Sequence, residues 1–120
     1  MELWHNPRCS KSRAAKALLD ERGVAYDVRF YVDAPPVAGE LDRVLTALAR
    51  EPWEITRMGD PLAREIGLRD EPRERTRWIK LLVAHPILIE RPILVTADGR
   101  AALGRPVEAI EQLISSKEPG

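Results

Sequence analysis

The chain has 120 residues, and its 19 lysine and arginine residues balance 19 aspartate and glutamate residues, giving a formal net charge of zero. This length predicts one domain over residues 1–120, and the balanced charge excludes the global basic field that nucleic-acid binding needs. No apolar run is long enough for a membrane span and no signal-like pattern opens the chain, so we expect a cytoplasmic protein with neither nucleic-acid nor membrane partners.

The first third of the chain predicts a βαβ unit. Residues 2–5 form a short strand, residues 10–22 form a helix that Gly23 ends, and residues 24–32 are rich in β-branched and aromatic side chains typical of a second strand. Strands joined by a helix run parallel. The predicted buried face of the helix consists of Ala14, Ala17 and Leu18.

Residues 36–85 predict a mainly helical insertion. Apolar side chains recur at helical spacing in residues 41–48 and 78–82, whereas proline and glycine break residues 53–68 into short helical pieces. The tryptophans of this chain are typical of packing residues rather than of a base-stacking platform.

The last third returns to strand patterns. Residues 93–95 and 101–104 flank a turn and predict an antiparallel hairpin. A terminal helix follows, with Pro106 at its first position and a frayed tail over residues 115–120. Its predicted buried face consists of Val107, Ile110, Leu113 and Ile114. The whole order predicts an α/β, thioredoxin-like fold: a four-stranded mixed sheet (βαβ then ββα) with a helical insertion between the two halves.

Cys9, the only cysteine in the sequence, lies between the first predicted strand and the first helix. A thiol at a helix start lies beside unpaired backbone N–H groups and the positive end of the helix dipole, which favour the thiolate. His5, Arg8 and Lys11 are candidate sources of further positive potential. The alternative is a buried, inert thiol. A single cysteine cannot form an internal disulfide, so redox chemistry would need a second sulfur from elsewhere.

Two arginines flank the predicted hairpin. Arg91 precedes its first strand and Arg105 follows its second, so both belong at one edge of the sheet. If the first hairpin strand runs antiparallel to the first strand of the chain, that edge also holds Cys9. Guanidinium groups match the oxygens of a tetrahedral oxyanion, so the pattern predicts a nucleophilic sulfur aimed at a bound oxyanion. Solvated surface arginines are the alternative. One cysteine and two distant histidines predict no metal site.

Three motifs in this order resemble the glutaredoxin-linked arsenate reductase family of thioredoxin-like proteins, to which Spx-type regulators are related. They are His5-Asn-Pro-Arg-Cys-Ser-Lys-Ser-Arg13, His85-Pro-Ile-Leu-Ile-Glu-Arg-Pro-Ile93 and Gly104-Arg-Pro106. The resemblance implies that Cys9 attacks arsenate to give a thiol–arsenate adduct, that glutathione attacks next as co-substrate, and that glutaredoxin restores the thiol as arsenite leaves. It implies no bound cofactor. We expect a monomer.

The resemblance also implies roles for single residues. Three arginines would bind the oxyanion, and His5 would favour the thiolate, a role that we extend to Arg8 and Ser12. Pro92 would be a structural cis-proline that faces the cysteine. The implied oxyanion-binding arginines are Arg57, Arg91 and Arg105.

Two other functions stay open at this stage. Spx-type regulators carry Cys-x-x-Cys, whereas this chain has Ser12 at the second position, which argues against an internal disulfide switch. A redox-sensing or protein-interaction module, with Cys9 modified by glutathione, is nevertheless an alternative. A general glutathione-linked thiol reductase without arsenate activity is the other.

Overall fold

The computed structural model describes residues 1–116. Its strands and α-helices, in chain order, are β1 (Glu2–Trp4), α1 (Ser10–Glu21), β2 (Asp27–Arg29), α2 (Ala38–Leu48), α3 (Pro61–Glu65), α4 (Arg75–Ala84), β3 (Ile93–Val95), β4 (Ala101–Leu103) and α5 (Glu108–Ser115). Short 3-10 helices lie at Pro52–Ile55, Leu68–Asp70 and Pro86–Leu88. Among these described residues, no helix combines the length and apolar character needed to cross a membrane.

The four strands form one mixed sheet in the order β2-β1-β3-β4, which confirms the predicted fold class. Strand β1 runs parallel to β2 and antiparallel to β3, and β3 runs antiparallel to β4. Trp4 at the end of β1 lies opposite Ile93 at the start of β3. The segment after β1 and the segment before β3 therefore meet at one edge of the sheet.

Apolar side chains alternate between the two faces of the sheet, as the strand repeat requires. Leu3 and Leu94 are paired in register and face a core formed with α1 and α5. Trp4 and Ile93 form the next pair and face the larger core formed with the helical insertion. The sheet is thus covered on both faces. The loops that carry Cys9 and Arg91 lie at the end of the sheet where β1 ends and β3 begins.

Strand β2 is shorter than the predicted strand over residues 24–32. The carbonyl oxygen of Phe30 accepts hydrogen bonds from the backbone N–H groups of Asp33 (3.0 Å) and Ala34 (2.9 Å), so the chain turns directly after Arg29. The turn places Tyr31, which is fully buried, in the core shared with the insertion.

Helix α1 buries a different face from the predicted one. Ser12, Ala15 and Leu19 point inward, whereas Ala14 and Ala17 are exposed. This face carries the Ser12 hydroxyl, which is hydrogen-bonded beneath the preceding loop, together with the fully buried side chains of Ala15 and Leu19.

The start of the last helix also differs from the prediction. Helix α5 begins at Glu108, and Pro106 lies before it in a tight turn, because the N–H of Ala109 bonds to the Pro106 carbonyl (3.0 Å) and that of Ile110 to the Val107 carbonyl (2.9 Å). The Arg105–Pro106 peptide bond is cis. Of the predicted frayed tail, residues 117–120 lie outside the described part of the chain.

Candidate active site

Cys9 occupies the N-cap position of α1, at the end of a loop fixed by its own backbone. The Cys9 N–H donates to the Asn6 carbonyl (3.0 Å), and the Arg8 N–H donates to the Asn6 side-chain oxygen (3.0 Å). Arg13 closes the first helical bond by donating its N–H to the Cys9 carbonyl (3.0 Å). The thiol is partly buried, so it is held in place while staying within reach of solvent.

A buried polar network lies directly beneath this loop. His5 Nδ1 is 2.7 Å from the Ser12 hydroxyl oxygen, which also accepts the Asn6 N–H at 3.0 Å. Ser12 is fully buried and His5 is nearly so. A hydroxyl can accept one hydrogen bond and donate another, so Ser12 satisfies both neighbours at once. Two predicted site residues therefore support the Cys9 loop from below.

Arg105 is the guanidinium nearest to the thiol. Its Nη2 lies 3.5 Å from the Cys9 sulfur, while its Nε–H donates to the Arg91 carbonyl (2.8 Å). The Glu90 carboxylate Oε2 lies 3.1 Å from the same Nε, as an ion pair without hydrogen-bond geometry. Backbone and carboxylate thus hold the inner part of the guanidinium, and its outer nitrogen faces the sulfur.

Arg91 lies in the interior next to the site. It is 6% exposed, its Nη1 donates to the Ile87 carbonyl (3.0 Å), and its Nε is a buried donor that has no partner among the described residues. The Arg91–Pro92 peptide bond is cis. Gly104 lies against this segment: a Cβ at Gly104 would meet Pro92 Cγ at 2.6 Å, so only glycine allows the two arginine-bearing loops this approach.

Arg57 reaches the region from the helical insertion. Its backbone N–H donates to the Leu88 carbonyl (2.7 Å), and its Nη1 lies 3.4 Å from an Asp60 carboxylate oxygen. Its side chain is 32% exposed. Arg57 acts electrostatically on Tyr31, whereas the arginines that act on the Cys9 thiol are Arg105 and Arg91.

The chain carries the signature of a known family along nearly all of this structure. The model of the ArsC family matches residues 4–113. The chain belongs to the ArsC family. It is 45% identical over 118 residues to a Streptomyces viridochromogenes protein described as an uncharacterized protein in the glnII region, covering 96% of this chain and 99% of that protein.

Members with a stated activity are similar as well. The chain is 43% identical over 115 residues to the arsenate reductase of Neisseria meningitidis serogroup A, covering 95% of this chain and 97% of that protein. The solved arsenate reductase from Vibrio cholerae superposes with a TM-score of 0.83 at 36% identity, covering 92% of this chain and 97% of the other. The ArsC family and its thioredoxin-like fold confirm the prediction made from the three motifs.

In this ArsC-family chain, opposing effects act on the Cys9 thiol. Burial raises the pKa of the thiol. The backbone amides of Ser12 and Lys11, and then the charges of Arg105 and Arg91, together lower the pKa by more than burial raises it. The net result is a pKa below the ordinary thiol value. The sulfur makes no regular capping hydrogen bond, so the amides act as nearby dipoles at the helix start.

His5 is not the positive neighbour that the sequence suggested. Burial, followed by the charges of Lys16 and Arg13, lowers the pKa of its imidazole, so the ring is neutral at neutral pH. That part of the prediction is wrong, because the spacing of residues along the loop does not show that Lys16 and Arg13 of α1 act on the ring. His5 contacts the site through Ser12 instead.

Arg8 is exposed, and its effect on the thiolate stays a prediction, because the charges that lower the pKa of Cys9 are those of Arg105 and Arg91. Residues 1–116 hold no group of three or more side chains of the metal-ligating types that could bind a metal ion.

Tyr31 lies within electrostatic reach of the site's arginines, a position that the sequence reasoning missed. It is fully buried, and its hydroxyl donates to the Ile89 carbonyl (3.0 Å). Burial raises the pKa of the phenol to about 12 against the opposing charges of Arg91 and Arg57. A tyrosine in an apolar, strand-like run gives no signal of this position, since only the turn at Phe30 turns it inward.

Proposed function

We propose that this protein is an arsenate reductase that uses Cys9 as its nucleophile, glutathione as its co-substrate and glutaredoxin as its final reductant. The observation that carries the proposal is the 3.5 Å approach of Arg105 Nη2 to the Cys9 sulfur. A thiol with a lowered pKa beside a fixed guanidinium is suited to attack a bound oxyanion. The arsenate reductases of Neisseria meningitidis and Vibrio cholerae support arsenate as that oxyanion.

The first two steps are substitutions at arsenic(V). The Cys9 sulfur bonds to arsenic while one arsenate hydroxyl takes a proton and leaves as water. The sulfur of glutathione then bonds to arsenic, and a second hydroxyl leaves as water. No electron pair has yet reached arsenic, which stays pentavalent and is bound to two sulfurs.

Reduction follows in the third step. The glutaredoxin thiolate attacks the glutathione sulfur, an S–S bond forms, and the electron pair of the broken S–As bond remains on arsenic, which becomes trivalent. Water then displaces Cys9 with proton transfer to its sulfur, releasing arsenite and the free thiol. One arsenate, one glutathione and one glutaredoxin thiol thus give arsenite, one mixed disulfide and water.

The arginines would stabilise charge on the arsenate oxygens. Arg91 carries a buried Nε donor without a partner in the described structure, which leaves hydrogen-bonding capacity for an anion at this edge of the sheet. Arg105 keeps its outer nitrogen beside the sulfur. Fixed donors of this kind need no rearrangement when charge develops in the transition state.

The test is a coupled assay that follows arsenate-dependent oxidation of NADPH through glutathione reductase, with glutathione and glutaredoxin present. We expect Cys9→Ser to abolish turnover without loss of folding, as measured by circular dichroism. Arsenate-dependent turnover that survives in Cys9→Ser would overturn the mechanism. Reduction of a glutathionylated protein without arsenate turnover would instead favour a general glutathione-linked thiol reductase.

A further inference from the structure

A groove of about 320 Å³ lies next to the loop that leads to Cys9. Residues 5–8 form one wall, and Phe30, Val32, Asp33 and Ile87 form the other. Pockets that bind small molecules typically span about 300–1,000 Å³, so the groove suits a ligand of modest size. The mechanism above assigns no task to it.

The apolar wall of the groove is exposed and yet fixed in shape. Phe30 is 50% exposed and Val32 is 37% exposed, although large apolar side chains are usually buried. The backbone bonds from Asp33 and Ala34 to the Phe30 carbonyl hold this turn, and the Phe30 ring lies 6.0 Å from the His5 ring. The wall is therefore preformed rather than dependent on a ligand.

Two opposite charges in the groove remain unneutralised. The side chains of Arg8 and Asp33 are exposed, and neither forms an ion pair or a side-chain hydrogen bond within residues 1–116. Other charged residues nearby are engaged: Arg13 donates to the Pro7 carbonyl (2.8 Å), and Arg29 pairs with Glu40 at 2.6 Å. The groove thus offers one free cation and one free anion beside an apolar wall.

We infer that this groove binds glutathione, so the inference rests on the proposed function. Glutathione carries carboxylates, an α-ammonium group and a short aliphatic stem, which complement Arg8, Asp33 and the Phe30–Val32 wall respectively. Arg8 directly precedes Cys9 in the chain, so the wall formed by residues 5–8 continues into the loop that holds the nucleophile, and the proposal places the bound tripeptide beside the arsenic on Cys9. Its sulfur forms the S–As bond of the second step there, as one hydroxyl leaves as water.

The direct test is titration of the full chain with S-methylglutathione, which keeps the charges but cannot react with arsenic. Isothermal calorimetry should give a Kd that is roughly tenfold weaker for Arg8→Glu and for Asp33→Lys, as expected when a charge-assisted contact is reversed. Arg69→Glu is the matched control, because Arg69 is exposed and lies outside the groove. Its Kd should equal that of the wild type.

Phe30→Ser provides a second variant that changes no charge and should weaken binding several-fold. Equal Kd values for wild type, Arg8→Glu and Asp33→Lys would overturn the inference that the groove binds glutathione. No detectable binding of S-methylglutathione would overturn it as well. So would variants that raise the KM for glutaredoxin but not for glutathione, since that result marks a protein-docking surface. The calorimetric readouts need no arsenate turnover, so they are independent of the Cys9→Ser test of the proposed function.

Discussion

Arg105 contacts the thiol from the loop after β4, and Arg91 acts on it electrostatically from the loop before β3, whereas Arg57 comes from the helical insertion. The two origins hold a guanidinium differently. Backbone carbonyls of Ile87 and Arg91 fix the sheet arginines. Arg57 contacts a carboxylate at 3.4 Å and is one-third exposed. A donor fixed by the main chain is preorganised for an anion, while a guanidinium nitrogen whose contact is a carboxylate side chain at 3.4 Å is already engaged by a negative charge. We therefore expect the sheet to supply most of the electrostatic stabilisation.

Arg105→Ala should give the largest effect on catalysis after loss of the nucleophile. We expect kcat/KM for arsenate to fall by about 100-fold in the coupled assay, the scale of losing one fixed donor to a developing charge. Arg105→Lys is the matched variant: it keeps the charge but loses the forked donor, so it should recover only part of the rate. An unchanged kcat/KM in Arg105→Ala would remove this residue from the site.

Gly104→Ala should disturb the loops that carry Arg91 and Arg105 without a direct contact to Arg57. The new methyl group would meet Pro92 Cγ at 2.6 Å and Ile110 Cδ1 at 2.7 Å. We expect the free energy of unfolding in urea to fall by about 1–3 kcal/mol, as for other overpacked sites. Gly59→Ala is the control, because no heavy atom lies within 4 Å of its added Cβ. Equal stability of both variants would contradict the tight approach.

The pH dependence of thiol reactivity distinguishes the arginines beside the sheet from Arg57 of the helical insertion. Because the backbone amides of Ser12 and Lys11 and then the charges of Arg105 and Arg91 lower the pKa of Cys9, the wild-type rate of iodoacetamide labelling should rise through an inflection below the free-thiol value. Removing the positive charge in Arg105→Ala should move the inflection to higher pH, while Arg57→Ala should leave it unchanged. The single cysteine makes the label specific. A wild-type inflection at or above the free-thiol value would contradict the site's electrostatics.

Arg57→Ala should have the smallest effect of the series. Its long, partly exposed contact with Asp60 contributes little to folding, so we expect near wild-type stability and a change in kcat/KM for arsenate of less than about fivefold. The same coupled assay measures it. A loss as large as that of Arg105→Ala would show that Arg57 moves onto the substrate and would remove the distinction between sheet and insertion.

The sheet side of the site could be predicted because topology determines it. A hairpin brings its outer ends together, and antiparallel pairing of β3 with β1 carries Arg91 and Arg105 to the edge where Cys9 begins α1. No such constraint applies to Arg57, since it lies between short helical pieces whose packing the sequence pattern does not determine. Its predicted oxyanion contact therefore stays a prediction.

Burial and local turns account for what the sequence could not predict. The neutral state of His5 depends on its burial and on the position of Lys16, which becomes its neighbour only when α1 folds. Tyr31 turns inward because of two backbone bonds at Phe30. The inward face of α1 combines a buried hydroxyl with two buried apolar residues, Ala15 and Leu19, and the apolar pattern alone did not select it.

That hydroxyl also limits which side chains position 12 of this chain can accept. Ser12 is fully buried and satisfies both His5 and the Asn6 N–H, so a cysteine there would put a larger atom and a weaker acceptor into an enclosed space. A second thiol gained at this position should therefore lower the stability of the protein, as urea unfolding of Ser12→Cys would register.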